Sequence, residues 1–300
     1  MMNDEQQRTK QGVFLALGAY TMWGIAPIYF KAIDQVSPLE ILSHRVIWSF
    51  FFLAGLLFLS KGWRAVATTI KSKQKLLYLA ATSSLVGINW LIFIWAATSN
   101  HLLDASLGYY INPLLNVVLG MLFLGERLTK LQWLAVSFAT IGVIIQVVTF
   151  GSVPTIALAL AISFGLYGLL RKKVNLSAQA GLFIETLMML PFALIYLLII
   201  ANSPSSNLAL NSTSLNLLLV SAGIVTTLPL LCFTGAATRL KLSTLGFFQY
   251  LGPSIMFIFA VTIYNEAFTS DKMTTFSFIW GALAIFIFDA IQHRARRRKQ

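Results

Sequence analysis

The chain contains ten apolar segments of about twenty residues each, and these segments constrain its fold more than any other feature. An α-helix needs about 20 apolar residues to cross the hydrocarbon core of a bilayer. Inside lipid the backbone must satisfy its own hydrogen bonds, and a helix does so within one segment. The sequence therefore predicts an all-α integral membrane protein with ten transmembrane helices, at residues 12–31, 40–60, 76–98, 104–124, 132–150, 153–171, 181–201, 215–236, 243–264 and 274–292.

The low share of charged residues supports this assignment and excludes several classes of protein. Charged residues make up 11% of the chain, whereas soluble domains carry roughly 25%. No polar stretch is long enough to form a separate soluble domain. The single cysteine, Cys232, leaves no internal disulfide and no multi-cysteine metal site. We therefore predict neither a bound metal nor a cofactor.

The lysines and arginines predict how the helices are oriented. Nineteen of the 22 fall in alternate loops and in the two terminal segments, whereas Lys31 and Lys272 fall on the other side and Arg45 lies within a segment. Basic loops stay in the cytoplasm, so both termini are expected there. This topology also explains the net charge of +12 without a nucleic-acid partner, and the basic run at 294–299 is expected to lie on anionic lipid.

An internal duplication relates the two halves of the chain. Residues 106–126 (SLGYYINPLLNVVLGMLFLGE) resemble residues 244–266 (TLGFFQYLGPSIMFIFAVTIYNE), and the last seventeen residues align without a gap at an offset of 140. We predict two five-helix repeats, at 1–150 and 151–300. Because five is odd, the repeats have opposite orientations, and such inverted repeats are typical of alternating-access transporters. Each stretch ends on a glutamate, Glu126 or Glu266, for which a structural pairing is expected.

Both paired stretches contain a proline within the apolar run, Pro113 and Pro253. A proline inside a helix leaves the carbonyl four residues earlier without its donor. In a membrane, that carbonyl needs a partner from protein or from water in a cavity. We expect helix bends around a cavity at Pro113 and Pro253, with a further flexible point at Pro27. A plain kink packed by neighbouring helices is the alternative.

Five stretches resemble a known family: AYTMWGIAPIYFK at 19–31, EILSHRVIWSFFF at 40–52, NWLIFIWA at 89–96, the segment 106–126, and STLGFFQYLGP at 243–253. They are similar to the EamA-type branch of the drug/metabolite transporter superfamily, and within it to the RarD-like group. The resemblance implies a permease or exporter of small molecules in the bacterial inner membrane. It also implies a central cavity lined mainly by transmembrane helices 1, 3, 4, 6, 8 and 9.

The candidate residues for the cavity are aromatic or carry an amide. Aromatic walls with a few placed polar groups are typical of small-molecule pockets. Trp and Tyr also form interfacial belts, and Asn often bonds neighbouring helices, so a packing role is the alternative for each. The candidates are Tyr20, Trp23, Asn89, Trp90, Tyr109, Tyr110, Asn112, Asn116, Tyr167, Gln249 and Tyr250.

The ionisable residues inside predicted helices that are candidates for a function are His44 and Arg45, near the outer end of the second helix, and Glu185, near the cytoplasmic end of the seventh. Arg45 and Glu185 are 140 residues apart, and the inversion places them at opposite faces, so we expect no direct pair. Arg45 could attract an anionic group and Glu185 could carry a proton. The structural alternative, expected for Arg45, is that it snorkels to the surface or pairs with Asp34, Glu40 or Asp104. For Glu185 both readings stay open.

Motifs for enzymes and ATP-driven pumps are missing from the sequence. It has no G-x-x-x-x-G-K-[ST], no H-E-x-x-H and no evident cluster of carboxylates on facing helices, so no catalytic residue is predicted. We expect a transporter whose partners are a small organic solute and the lipid bilayer. A passive channel and an integral-membrane enzyme or sensor are the alternatives.

Overall fold

The computed structural model describes residues 4–98, 102–151, 154–201, 205, 208–262 and 270–297. Within these ranges the regular secondary structure is helical, and one π-helical turn, Tyr196–Ile200, extends α8. The helices are α1 (Asp4–Lys31), α2 (Pro38–Leu59), α3 (Trp63–Ile70), α4 (Lys73–Thr98), α5 (Leu102–Leu124), α6 (Lys130–Phe150), α7 (Thr155–Val174), α8 (Ala178–Ile195), α9 (Thr213–Ala237), α10 (Leu242–Gln249), α11 (Leu251–Thr262) and α12 (Ser270–Arg297).

Ten transmembrane spans are confirmed within the described ranges, because ten helical stretches are long and apolar enough to cross a bilayer. All helices but three form one span each, and α10 and α11 together form the ninth. The remaining helix, α3, was not predicted. It has eight residues, too few to span, and its Trp63 packs edge-on against Phe183 of α8 with ring centres 5.1 Å apart.

Short polar signals set the ends of the helices. The Ser37 hydroxyl accepts the Glu40 backbone N–H at the start of α2, and Thr129 and Gln132 form a reciprocal capping box at the start of α6. At the other end, α6 stops at Gly151, whose φ of 76° lies in the left-handed region that glycine adopts without strain.

Hydrogen bonds between helix ends place most of the basic loops on one side of the molecule, hereafter the basic face. Arg8 at the start of α1 donates to the Thr238 carbonyl after α9 (3.0 Å), and Lys172 near the end of α7 donates to the Ala237 carbonyl (3.1 Å). Thr129 before α6 donates to Asp289 near the end of α12. The charge split predicted from sequence therefore corresponds to two faces, although Arg298 and Lys299 lie outside the described residues.

Glu126 joins the two halves at this face. Its carboxylate accepts the backbone N–H groups of Leu242 (2.6 Å) and Ser243 (2.9 Å) and the Ser243 hydroxyl (2.7 Å). The carboxylate accepts hydrogen bonds from N–H groups in the first turn of α10, which have no helical partner. Its negative charge is also stabilised by the positive end of the helix dipole. Glu126 thus has a structural role, as expected; Glu266 lies outside the described residues.

The helices of the two halves are interleaved, and the pairs that pack follow a pattern. Three packed pairs each have a counterpart five places along the chain. The pair of spans 4 and 6 corresponds to spans 9 and 1, the pair of spans 2 and 8 to spans 7 and 3, and the pair of spans 1 and 8 to spans 6 and 3. Spans 2 and 7, 4 and 9, and 5 and 10 pack against their own counterparts. These nine pairs are unchanged when every span is exchanged for the one five places along the chain.

The three prolines differ in their effect on the helices. α1 continues through Pro27 and α5 through Pro113. The ninth span is divided at Tyr250, three residues before Pro253, so Pro253 is the third residue of α11. A proline in a first turn costs no hydrogen bond, because those N–H groups have no helical partner. Tyr250 buries its ring and donates from its hydroxyl to the Tyr110 carbonyl at 3.3 Å, linking corresponding positions of the duplication.

Candidate functional site

A cavity of about 110 Å³ lies between the two halves of the chain. The first half contributes α1, α2, α4 and α5 to its wall, and the second contributes α7, α10 and α11. An engineered apolar cavity of about 150 Å³ takes up benzene, so this volume suits a small organic molecule or several waters.

The structure brings ten of the sequence candidates together in the wall of this cavity. They are Tyr20, Trp23, Pro27, Arg45, Asn89, Trp90, Tyr109, Asn112, Gln249 and Pro253. Four other candidates, Tyr110, Asn116, Tyr167 and Tyr250, are buried in helix packing beside or below it. His44, Glu185 and Pro113 also lie outside the wall.

The helices that form the wall differ slightly from those implied by the family resemblance. Span 2 takes part through Arg45, whereas span 8, which is α9, stands one layer behind with Thr226 and Phe233. Sequence reasoning missed the apolar wall residues Phe30, Phe93, Phe164 and Met256. A spacing of three residues from the wall residues Pro27, Trp90 and Pro253 could have indicated Phe30, Phe93 and Met256, and no such signal indicates Phe164.

A cluster of aromatic rings lies between the cavity and the basic face. Phe233 of α9 is fully buried at its centre, with its ring 4.9 Å from Phe164, 5.7 Å from Trp23 and 6.1 Å from Tyr167. Tyr20 completes the cluster at 6.3 Å from Phe233. Five rings from three helices leave little room for a polar molecule to pass in this conformation, so we call this cluster the aromatic floor.

The amide candidates form a hydrogen-bonded chain across the halves. Asn112 donates to the Ala161 carbonyl (2.8 Å), and Asn116 donates to the side-chain oxygens of Asn112 (3.0 Å) and Gln249 (2.5 Å). Asn89 donates to the Leu160 carbonyl and to Ser163. These bonds fix the amides at the wall, so Asn112, Gln249 and Asn89 hold helices together as well as face the cavity.

Arg45 is buried at the wall and does not snorkel to the surface. Its side chain is 6% exposed, and its Nε donates to the Thr226 hydroxyl at 2.8 Å. Neither Asp34 nor Glu40 pairs with it, and the side chain of Asp104 lies outside the described residues. The neighbouring His44 points elsewhere and accepts the Trp48 indole N–H on Nδ1 at 3.2 Å.

Glu185 lies nearer the basic face and has more partners than the sequence indicated. It accepts hydrogen bonds from Thr82 (2.5 Å) and Tyr167 (3.4 Å), and Arg171 lies 3.6 Å from its Oε1. Arg171 was counted among the basic residues of the cytoplasmic side, and it does lie in the last turn of α7 with Lys172 and Lys173, but its side chain is buried, at 1% exposure. Arg171 is the charged residue that sequence reasoning missed, because it precedes Lys172 and Lys173 in one basic run.

Glu185 does not line the main cavity, but it lines a neighbouring void that shares Trp90 with that cavity. A second, water-sized void of about 10 Å³ is lined by Glu185, Thr226 and Trp90, and Trp90 also lines the main cavity. The corresponding residues Arg45 and Glu185 do not pair, and each bonds a threonine of the other half, Thr226 or Thr82. Within the described residues, no three His, Cys, Asp or Glu side chains are grouped so as to hold a metal.

Comparisons with known proteins agree with this architecture. The model of the EamA-like transporter family matches residues 10–148. An uncharacterized transporter of Vibrio cholerae is 65% identical over 99% of both chains, and the Protein RarD of Salmonella typhimurium is 59% identical over 98% of this chain and all of its own length. A solved crystal structure with 18% identity shares the fold, at a TM-score of 0.70 over 94% of this chain and 98% of its own. The chain therefore belongs to the EamA-like transporters, within the RarD group, and is a multi-pass membrane transporter.

Proposed function

We propose that this protein moves a small organic solute across the bacterial inner membrane by alternating access, with both termini in the cytoplasm. The observation that carries the proposal is the cavity of about 110 Å³ enclosed between the two halves of the chain. Transporters built from inverted repeats place their solute at this interface. The repeats would be residues 1–150 and 151–300, and the two-fold pattern of helix pairs supports that division.

The aromatic floor supports one step of this mechanism. Its position between the cavity and the basic face supports a conformation that is closed on that side. In an inverted repeat the two halves exchange their environments between states, so a second conformation would open this floor and close the other side. Transport then requires no continuous pore at any moment.

Counterflow in proteoliposomes tests the transport step. Purified protein is screened by thermal shift against amino acids, metabolites and antibiotics, and the solute that gives the largest shift is loaded inside the vesicles. Saturable uptake of labelled solute driven by the unlabelled pool is expected. A flux that does not saturate would indicate a passive channel, and conversion of the solute without uptake would indicate an enzyme.

Cysteine labelling tests the access step. With Cys232 replaced by serine, a cysteine at Asn112 or Gln249 should react with a membrane-impermeant maleimide, and the solute should protect it. The matched control is a cysteine at Tyr110, which is equally buried but lies outside the cavity wall. Equal labelling at all three positions would argue against a solute site in this cavity.

A further inference from the structure

The guanidinium of Arg45 is the strongest indication of what the cavity binds. Burying an arginine without a carboxylate partner is costly, because the charge loses its hydration. Arg45 donates one hydrogen bond, from Nε to Thr226, and Nη1 and Nη2 have no acceptor among the described residues. Among the described residues, eighteen line the cavity and none of them is acidic; the side chain of Asp104 lies outside that part of the chain.

Two aromatic rings and one hydrogen bond hold this guanidinium in a fixed place. Its central carbon lies 4.6 Å from the ring centre of Trp90 and 5.2 Å from that of Phe30. Cation–π contacts of this kind offset part of the cost of burying the charge, but they give the terminal nitrogens no acceptor, and Nη1 is buried without a hydrogen-bond partner. With Nε bound to Thr226, the two terminal nitrogens are the donors that remain.

Other donors at the wall also lack acceptors. The amide oxygen of Gln249 is bonded to Asn116, but its amide nitrogen has no acceptor among the described residues. The Tyr109 hydroxyl at the wall likewise has no hydrogen-bond partner within the described ranges. The wall also carries an acceptor, the side-chain oxygen of Asn89, whose bonds in the described residues run only from its nitrogen. The one fixed charge at the wall is nevertheless positive, and donors of Arg45 and Gln249 stand without acceptors, which fits an anion and disfavours a cation.

We propose that the solute is a small organic anion whose carboxylate binds Arg45 and whose apolar body lies among the aromatic residues of the wall. This inference rests on the proposed transport function and names the solute class for the same cavity. A carboxylate matches the two parallel donors of a guanidinium edge. The remaining wall, with Trp23, Phe93, Phe164 and Met256, suits a body about the size of a benzene ring.

Binding of three probes that share one ring tests this proposal. Benzoate, benzamide and benzylamine carry a negative, a neutral and a positive group, and each is titrated into purified protein in nanodiscs, with tryptophan fluorescence and thermal shift as readouts. Because a hydrogen bond to a charged group is much stronger than a neutral one, benzoate should bind about tenfold or more tightly than benzamide, and benzylamine should bind least.

Variants assign the effect to Arg45. Arg45→Gln should weaken benzoate binding about tenfold or more and leave benzamide within about twofold. Arg45→Lys keeps the positive charge but loses the paired donors of the guanidinium, so its affinity for benzoate should lie between those of the wild type and Arg45→Gln. The matched control is Arg64→Gln, which removes an exposed arginine of α3 and should change neither probe. In the absence of probes, Arg45→Gln should unfold at the same temperature as the wild type or higher.

The outcomes separate the two proposals. Equal affinity for benzoate and benzamide, or undiminished benzoate binding by Arg45→Gln, overturns the anion site while the transport proposal stands. If the wild type binds no benzoate, the anion site is wrong whatever the counterflow shows. Loss of both benzoate binding and saturable counterflow removes the proposed function as well. If Arg45→Gln does not fold, a structural role is indicated, and benzoate binding by Arg45→Lys at wild-type affinity would overturn the proposal.

Discussion

At the residue scale, the burial of Arg171 beside Glu185 depends on one glycine, Gly181. Arg171 follows an apolar run and precedes two lysines, a sequence pattern typical of a cytoplasmic helix end. It turns inward because Gly181 of α8 offers no side chain; a Cβ there would collide with the guanidinium. No periodicity in the sequence reports this fit, since it depends on the approach of α7 to α8. The burial of Arg45 was missed for the same reason: its site depends on α9.

Removing one charge of the Arg171–Glu185 pair should destabilise the protein more than removing both. Arg171→Met leaves Glu185 as a buried charge without its cation, and should destabilise the protein by about 3–5 kcal/mol. The double variant Arg171→Met/Glu185→Leu removes both charges and should recover most of that loss. The measurement is a double-mutant cycle by thermal unfolding in detergent. Losses that simply add in the double variant would show that the two side chains do not interact.

Separate transport assays on these variants address the second reading of Glu185. Glu185→Gln keeps the shape of the side chain, and the amide oxygen can still accept hydrogen bonds from Thr82 and Tyr167. The amide cannot bind and release a proton as a carboxylate does. If Glu185 carries a proton, this variant should still catalyse counterflow but lose uptake driven by a proton gradient. Equal gradient-driven uptake by Glu185→Gln and the wild type would leave Glu185 with a structural role.

At the element scale, the packing of α2 against α9 determines where Arg45 lies. Gly223 of α9 faces the backbone of Trp48, and its carbonyl accepts the Ser49 hydroxyl at 3.3 Å. This contact lies about one turn from the bond between Arg45 and Thr226. The sequence predicted both helices to within a few residues, but not which faces they share, because a lipid-facing side and a protein-facing side are equally apolar here. It also did not predict α3, whose eight residues are too few to give a clear pattern.

Two glycine substitutions measure this close approach. Gly223→Ala places a methyl group against the backbone of Trp48, so α2 must shift, at a cost of about 1–3 kcal/mol. Gly55→Ala on α2 is the matched control, because its methyl group would meet no atom within 4 Å. The control should be neutral or gain about 0.5–1 kcal/mol from helix propensity. The melting temperatures of the two variants compare these costs, and similar values for both would contradict the packing described.

At the scale of the whole molecule, most of the architecture follows from two simple sequence properties. The apolar segments predicted the ten spans, since lipid requires a helix of a certain length. The duplication predicted paired stretches that the structure places in contact, with Gly246 of α10 close to the Pro113 carbonyl of α5. The cavity was predicted only as a set of candidate residues, because neither its volume nor its floor of five rings depends on any single helix.

Topology is tested on the whole molecule by reporter fusions. A reporter at Gln300 and another inserted after Ser205 should report opposite sides of the membrane, with Gln300 in the cytoplasm. Alkaline phosphatase, which is active only outside the cytoplasm, and green fluorescent protein, which is fluorescent only inside it, serve as complementary reporters. Activity of the same reporter at both positions would contradict the ten-span arrangement, and cytoplasmic signals at Ser205 alone would reverse the orientation.

The interleaving of the two halves has a consequence for how the chain is made. Span 1 packs against spans 8 and 9, and span 2 against spans 7 and 8, so the main partners of the first two spans belong to the second half of the chain and are synthesised late. While the ribosome is still producing the second half, the early helices are in the lipid with their binding faces uncovered. Assembly must therefore wait for span 9, and a chain interrupted after its first repeat would leave a target for membrane proteases rather than half a transporter.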